Sequence, residues 1–312
     1  MATFLCSGAL LVALLQAPDS LAALRARLAH DSADGRGWLL LGRADLARFE
    51  EARARRPAPD SAWARAVLDT VDQALARAAL LLGPPGATPE GDSAQVLRVA
   101  GWSGRRRLAV DVGGSGVATA AWGPLPPDLR LSPVLEELGE NLLRDCPGGG
   151  ALVTAGEADG AAAWYMRFAR GLRPDLLVLP LPAWRADPGW RTRVAADLRL
   201  GARGAGDGWV AALAARRPVC ASMALERPPE GTPRAPVAWQ TRTLVWVVGR
   251  GAPGDRVPPG DFAFTALKLA LAARDPWAGA ALALYARAAR ETPELCAALA
   301  AAGVPGPVEC AH

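Results

Sequence analysis

The chain has 312 residues, of which 51% are hydrophobic, so it is long enough to bury a sizeable core and should fold along most of its length. Its formal net charge is +4, but the only tight basic cluster, residues 105–107, is short and not interleaved with stacking aromatics, which argues against nucleic-acid binding. With two histidines and no metal-ligand spacing, the sequence predicts no metal site, no cofactor and no Ser–His–Asp relay.

The N-terminal segment is apolar. An uninterrupted apolar run from Ala9 to Leu15 precedes Ala17, a small residue at which a signal peptidase could cut. Residues 1–17 are therefore a candidate signal peptide, and we expect an exported protein, periplasmic or extracellular. The alternative is a first core helix, which would leave the chain in the cytoplasm. No later segment offers about 18 consecutive uncharged apolar residues, so no transmembrane segment is expected in the mature chain.

The cysteines fit an oxidising compartment. Cleavage after residue 17 would remove the first of five cysteines and leave an even number. The four that remain are Cys146, Cys220, Cys296 and Cys310. The last two are nearest along the chain and flank a Gly-Val-Pro-Gly-Pro turn, so we expect a disulfide between them; the alternative is two small buried hydrophobic side chains.

Residues 18–104 are predicted to form a helical region. Apolar residues recur at three-to-four spacing over 20–30, 35–54 and 61–82, and a further helix is predicted over 93–102. The run WLLLGRADL at 38–46 reproduces the W-x-x-L-G opening of a tetratricopeptide repeat, with Asp45 where that motif usually has Tyr. We therefore expect tetratricopeptide-like helical hairpins, the alternative being an unrelated helical bundle.

The next segment, residues 105–124, contains two short β-like runs joined by glycines at 113–116, and we predict a β-hairpin. The same residues resemble the first phosphate loop of sugar kinases and actin-like ATPases. That resemblance implies that Asp111 faces a metal and that the backbone of Gly113, Gly114 and Ser115 cradles phosphate. We favour the hairpin because the roughly 200 residues that follow are few for the two lobes of such an ATPase.

An α/β domain over residues 105–255 is the central prediction. Strands are predicted at 151–155, 176–181, 219–224 and 244–248, with helices at 160–171, 187–200 and 207–216. This alternation favours right-handed crossovers and a mainly parallel, Rossmann-like sheet. Ligands of such sheets bind at the carboxyl ends of the strands, and Glu157 and Asp159 follow the first strand there.

Several short motifs follow one another in order from this first strand. They are an acidic turn, a Trp-Tyr helix, Arg-Pro-Asp before a strand, Arg-Pro-Val at 217–219 and TLVWVV at 243–248. Over about 133–250 they resemble the soluble α/β portion that follows the membrane domain in bacterial membrane proteins related to protein O-mannosyltransferases. The resemblance implies a glycan-handling role, but the turn has Ala158 and Gly160 where the family has polar and aromatic residues. The membrane domain expected to bind a lipid-linked sugar donor is absent too, so a catalytic transferase is not expected.

The candidate ligand-binding residues lie within this segment. They are Glu157, Asp159, Trp164, Tyr165, Arg173 and Asp175. Each has a structural alternative: the acids can stabilise a helix N-terminus, Asp175 can cap or pair with an arginine, and Trp164, Trp184 and Trp190 can pack in a core instead of stacking on sugar rings. Tyr165 has no relay partner, and no residue is assigned a catalytic role.

Residues 256–312 are predicted to form C-terminal helices packed on the rest, with helix starts at 275–277 and 292–294, where a proline occupies the first turn. Helices on both sides of an α/β unit suit a protein that holds partners. We therefore expect a protein-interaction scaffold of the bacterial cell envelope that is not an enzyme, or is a degenerate one, with a protein partner. The alternatives are a glycan-handling or glycosyltransferase-associated domain that binds carbohydrate through Glu157 and Asp159, and an actin-like ATPase.

Overall fold

The computed structural model describes residues 18–55, 60–115, 123–201, 206–233, 236–250, 256–307 and 310. The candidate signal peptide, residues 1–17, lies outside the described residues. Among the helices that are described, none combines the length and apolar character needed to cross a membrane. The fold is mixed α/β, as predicted, with helices in the majority around one five-stranded sheet.

Four helices form the N-terminal layer. They are α1 (Pro18–His30), α2 (Gly35–Ala54), α3 (Ser61–Leu82) and α4 (Pro89–Gly113). Helices α2 and α3 are antiparallel and pack closely at Gly42, where a Cβ atom would lie 2.5 Å from the Leu75 side chain. Asp72 of α3 receives hydrogen bonds from Arg98 Nε (3.2 Å) and Trp102 Nε1 (3.0 Å) of α4. This layer agrees with the predicted helical region; its tetratricopeptide-like character stays a prediction.

The predicted first strand of the hairpin is wrong, because residues 105–113 are the last turns of α4. The valines of this segment favour a strand. The N-terminus of α4 is nevertheless well capped, because Pro89 lies in its first turn and Thr88 Oγ1 accepts from Gly91 N at 3.0 Å. The helix ends at Gly113 and is followed by Gly114, whose φ of 80° favours glycine. The second β-like run lies outside the described residues. A helical segment lacks the strand and turn of a phosphate loop, so the resemblance to actin-like ATPases loses its basis.

A helix that the sequence analysis did not predict, α5 (Pro133–Asp145), leads into the α/β unit. It buries Val134, Leu138 and Leu142 on one side, the apolar stripe of an amphipathic helix. Its Gly139 lies against the next helix, α6 (Glu157–Phe168), so closely that a Cβ atom would collide with the main-chain carbonyl of Ala162. Helices α5 and α6 therefore cover one face of the sheet as a closely packed pair.

The sheet has the strand order β2-β1-β3-β5-β4. The strands are β1 (Ala151–Thr154), β2 (Leu177–Pro180), β3 (Val219–Ser222), β4 (Gln240–Thr241) and β5 (Val245–Val248). Strand β1 is parallel to both β2 and β3, which confirms the parallel arrangement for the predicted first three strands. Strand β5 runs antiparallel to β3 and β4, so the sheet is mixed. A Rossmann-like fold is not established by this topology.

The two faces of the sheet belong to two cores, because side chains alternate along each strand. Leu152, Val178 and Cys220 face α5, α6 and the C-terminal helices, whereas Val153 and Leu179 face the helices that follow β2. Those helices are α7 (Leu181–Ala186), α8 (Pro188–Asp197) and α9 (Trp209–Ala214). The C-terminal ones are α10 (Thr265–Ala273), α11 (Ala278–Glu291) and α12 (Glu294–Ala301), and the last two begin where the proline motifs predicted.

Two disulfides are present in the part of the chain that the structure describes. The Cys296–Cys310 pair, with Cα atoms 5.4 Å apart, confirms the predicted bond. The second bond, Cys146–Cys220, has Cα atoms 5.8 Å apart and ties the end of α5 to β3. The two bonds differ in burial: Cys146 and Cys220 are buried, whereas Cys296 and Cys310 are partly exposed.

Candidate functional site

The acidic turn lies where the sequence placed it, between β1 and α6. Asp159 is buried, and its carboxylate accepts hydrogen bonds from the main-chain N–H of Ala155 (2.7 Å) and of Gly156 (2.8 Å). Burial raises the pKa of Asp159, while the hydrogen bonds from the backbone and from Ser222 oppose that rise. The Asp159 side chain therefore caps the start of α6 and holds the turn.

The other carboxylate of the turn, Glu157, is exposed and lies at the first position of α6. It stands between two cavities. The first, which we call the interlayer cavity, has a volume of about 370 Å³ and lies between helices α2 and α4 and the carboxyl ends of β1 and β2. The second, of about 360 Å³, lies against α11 and includes Arg287. Arg287 donates to the main-chain oxygens of Met223 (2.5 Å) and Leu225 (2.8 Å), so it is committed to the fold.

The interlayer cavity has mainly apolar walls. Leu46 comes from α2, Val96 and Val99 from α4, Trp164 from α6, and Pro180 from the end of β2. Its position at the carboxyl edge of parallel strands is where open α/β sheets bind their ligands. Its size falls within the range of small-molecule sites, about 300 to 1,000 Å³.

A buried ionic network, which sequence reasoning missed, lies behind this cavity. Arg53 of α2 donates to Asp187 at 2.9 and 2.8 Å and to Asp111 at 2.8 Å. Arg107 of α4 donates to Asp187 at 3.3 Å and also pairs with Glu50. Arg53, Arg107 and Asp187 are all buried. The partners are distant along the chain, and the only local signal was Asp187 before Pro188, which caps α8 by accepting from Trp190 N at 3.0 Å.

Trp164 and Tyr165 are buried residues of α6. Trp164 lines the interlayer cavity and packs on Phe168 with ring centroids 5.1 Å apart. Burial, together with the nearby Glu136 carboxylate, raises the pKa of the Tyr165 phenol, and the guanidinium of Arg170 lies 5.8 Å from its ring centre. Tyr165 is therefore a core side chain, and of this pair only Trp164 contributes to the cavity.

Arg173 and Asp175 lie at the opposite edge of the sheet, because they precede β2 whereas Glu157 follows the parallel strand β1. Arg173 pairs with Asp175 through two contacts of 3.1 and 3.0 Å and donates to Leu143 O at 2.8 Å. Asp175 in turn accepts from Gly149 N at 2.8 Å. The Arg173 guanidinium lowers the pKa of Asp175 to about 2. The two side chains therefore fasten the chain before β2, and the structure does not bring them to the Glu157 turn.

The tryptophans considered for sugar stacking, Trp184 and Trp190, are core residues. They are 1% and 5% exposed and meet edge to face with ring centroids 5.7 Å apart. Trp184 also packs on Trp209, with ring centroids 5.1 Å apart. This aromatic cluster covers the sheet face formed by Val153 and Leu179.

No group of three or more His, Cys, Asp and Glu residues is placed to hold a metal ion in the part of the chain that the structure describes. Comparison of the chain with protein-family models, curated proteins and solved structures finds no match. The geometry of the described residues singles out the interlayer cavity, with Glu157 at its edge.

Proposed function

We propose that this protein is an exported, non-catalytic binding protein of the cell envelope, whose interlayer cavity holds a side chain of a partner protein. One observation carries the proposal: a cavity with mainly apolar walls opens at the carboxyl ends of β1 and β2, while Asp159 is committed to the backbone of its turn. Binding an apolar group there removes apolar surface from water, at roughly 25 cal/mol per Å².

The ionic network supports the same role. Arg53, Arg107 and Asp187 connect α2 and α4 to the junction of α7 and α8, so the elements that form the cavity walls are fastened to one another. A cavity that is held open before binding loses little conformational entropy when it is filled. Export is supported by the two disulfides, since such bonds persist mainly in oxidising compartments.

The alternative is a glycan-handling domain, in line with the resemblance to proteins related to O-mannosyltransferases. One observation favours it: Glu157 and Trp164 line the same cavity, and a carboxylate beside an aromatic ring is a suitable pairing for sugar hydroxyls and C–H groups. Thermal shift of the purified chain with sugars and sugar-nucleotide donors tests this alternative. A shift that Glu157→Gln removes would favour it over the binding-protein proposal.

The proposal is tested by closing the cavity. Ala186 is exposed and lies at the cavity edge, so Ala186→Trp should obstruct the opening and leave the fold intact. The matched control is Ala66→Trp, at an exposed position of α3 away from the cavity. Each tagged chain is cross-linked in an envelope extract of the source cell, and the captured proteins are compared.

We expect the wild-type chain and Ala66→Trp to capture the same partner, and Ala186→Trp to lose at least nine-tenths of it. Equal capture by all three chains would contradict a role for the cavity. Circular dichroism and unfolding curves of both variants establish whether any loss of capture is caused by misfolding.

A further inference from the structure

The charges around the interlayer cavity are unequal. Of the described residues that line it, three are charged: Glu50, Arg107 and Glu157. The Arg107 guanidinium is buried and is already paired with Glu50 and Asp187. Glu157 is exposed and has no ion pair or hydrogen bond through its side chain to any residue that the structure describes. The free charge presented to a ligand is therefore negative.

The network behind the wall does not reverse this sign. It adds Arg53, Asp111 and Asp187, so two arginines pair with three carboxylates, and Glu157 is a fourth carboxylate that takes no part in these ion pairs. The net charge of this group is −2, which attracts a cation. The next cation on α4, Arg106, has its guanidinium 4.4 Å from the ring centre of Phe168 and lines a small adjoining cavity of about 30 Å³, but it is not among the residues that line the interlayer cavity.

The walls of the interlayer cavity indicate the chemistry of the rest of the ligand. Leu46, Val96 and Val99 line the same cavity as Glu50 and Glu157, and their apolar side chains suit an unbranched aliphatic stem rather than a polar one. We infer that the interlayer cavity binds a lysine side chain of the partner protein, with its stem on the apolar wall and its ammonium group between Glu50 and Glu157. This inference rests on the proposed function, because it names the group that the proposed partner inserts.

Lysine fits this arrangement better than arginine. Oε1 of Glu50 already accepts from Arg107, which leaves Oε2 as the oxygen with no hydrogen bond from a described residue. A guanidinium binds most strongly to a carboxylate that offers both oxygens side by side, whereas an ammonium is a point charge with three donors that can contact two separate carboxylates. The two carboxylates come from different helices, α2 and α6, so they offer two separate acceptors.

The test uses three capped amino acids as probes: the N-acetyl, N′-methylamide derivatives of lysine, arginine and norleucine. Norleucine has nearly the shape of lysine and lacks the charge. Affinities for the full chain are measured by NMR titration. We expect lysine to bind at least tenfold more tightly than norleucine, several-fold more tightly than arginine, and less tightly as salt is added. Ala186→Trp should abolish the binding of all three probes and so locate it in the cavity.

The matched variants remove one carboxylate at a time. Glu157→Gln should remove most of the preference for lysine over norleucine, whereas Glu294→Gln should keep it, because Glu294 is likewise exposed and first in its helix but lies at α12. Glu50→Gln should behave like Glu157→Gln. Its neighbour Glu51, which is exposed and pairs with Arg55, provides the second control as Glu51→Gln.

Equal affinities of lysine and norleucine would overturn the inference and leave the proposed function standing, since an apolar cavity would still bind a side chain. Tighter binding of arginine would overturn the assignment to lysine. If neither lysine nor norleucine binds, the inference also fails. In that case the capture experiment with Ala186→Trp decides the proposed function separately.

Discussion

Buried carboxylates in this protein hold the backbone. Asp159 fastens the turn after β1, and Asp145, the last residue of α5, does the same for β5: its Oδ2 accepts from Leu244 N at 2.5 Å. The main-chain oxygen of Asp145 accepts from Arg242 Nη1 at 2.9 Å. Burial raises the pKa of Asp145 to about 6, although the hydrogen bond from Leu244 and the charges of Arg242 and Arg256 oppose the rise.

The raised pKa of Asp145 gives the stability of the protein a defined pH dependence. In an unfolded chain an aspartate has a pKa of about 3.9, so between that value and about 6 the folded state binds more protons at this residue. The free energy of unfolding therefore rises as the pH falls through 6, and the gain is complete only below the unfolded pKa of about 3.9. Urea unfolding of the wild type and of Asp145→Asn at pH 7 and pH 5 measures this effect.

We expect the wild type to gain about 1 kcal/mol relative to Asp145→Asn between pH 7 and pH 5, because the variant cannot titrate there. Other acids, among them Asp92, whose pKa burial also raises to about 6, change both proteins equally and cancel in the comparison. The same stability difference at both pH values would mean that Asp145 titrates normally in the folded protein.

Individual elements were predicted where their sequence carries a local signal. The strands β1, β2, β3 and β5 have short apolar runs bounded by Gly or Pro, and α11 and α12 follow prolines. The prediction failed at residues 105–113, where valines suggested a strand although the segment continues α4. It also missed α5, although the apolar residues of that helix recur with a helical period.

Contacts between elements that are far apart along the chain had no such local signal in the sequence. Arg53 and Asp187 are 134 positions apart, yet their ion pair joins α2 to the start of α8. The glycine contacts are similar: the W-x-x-L-G run includes Gly42, but only the structure places Leu75 against it. Contacts of this kind depend on the tertiary arrangement, so local patterns cannot predict them.

Replacing Asp187 by alanine should destabilise the protein by about 3 to 5 kcal/mol, because two buried arginines each lose one of their two carboxylate partners and α8 loses its N-cap. The control is Glu90→Ala, which breaks the exposed Arg36–Glu90 pair and should cost less than about 1 kcal/mol. Urea unfolding at constant pH gives both values. Similar losses for the two variants would show that the buried network contributes no more than a surface ion pair.

For the molecule as a whole, the sequence predicted an α/β unit with helices on both sides, and it predicted the acidic turn at the carboxyl end of β1. It did not predict the interlayer cavity, because the walls come from α2, α4, α6 and the segment after β2. The structure places the candidate residues in different parts of the fold: Glu157 and Trp164 line the cavity, whereas Arg173 and Asp175 fasten the other edge of the sheet. Because β1 and β2 are parallel, residues that follow β1 and residues that precede β2 lie at opposite ends of the strands and do not share a site.

The two disulfides should contribute unequally to the stability of the whole molecule. Cys146–Cys220 closes a loop with a sequence separation of 74, and Cys296–Cys310 one of 14. If each bond acts by restricting the unfolded chain, removal of the longer loop costs about 4 to 5 kcal/mol and removal of the shorter about 3 kcal/mol. Urea unfolding of Cys146→Ala/Cys220→Ala and of Cys296→Ala/Cys310→Ala compares them. Cys146 and Cys220 are also buried in the core, so replacing them should cost more than the loop estimate alone. A larger loss of stability in Cys296→Ala/Cys310→Ala than in Cys146→Ala/Cys220→Ala would contradict the entropic account.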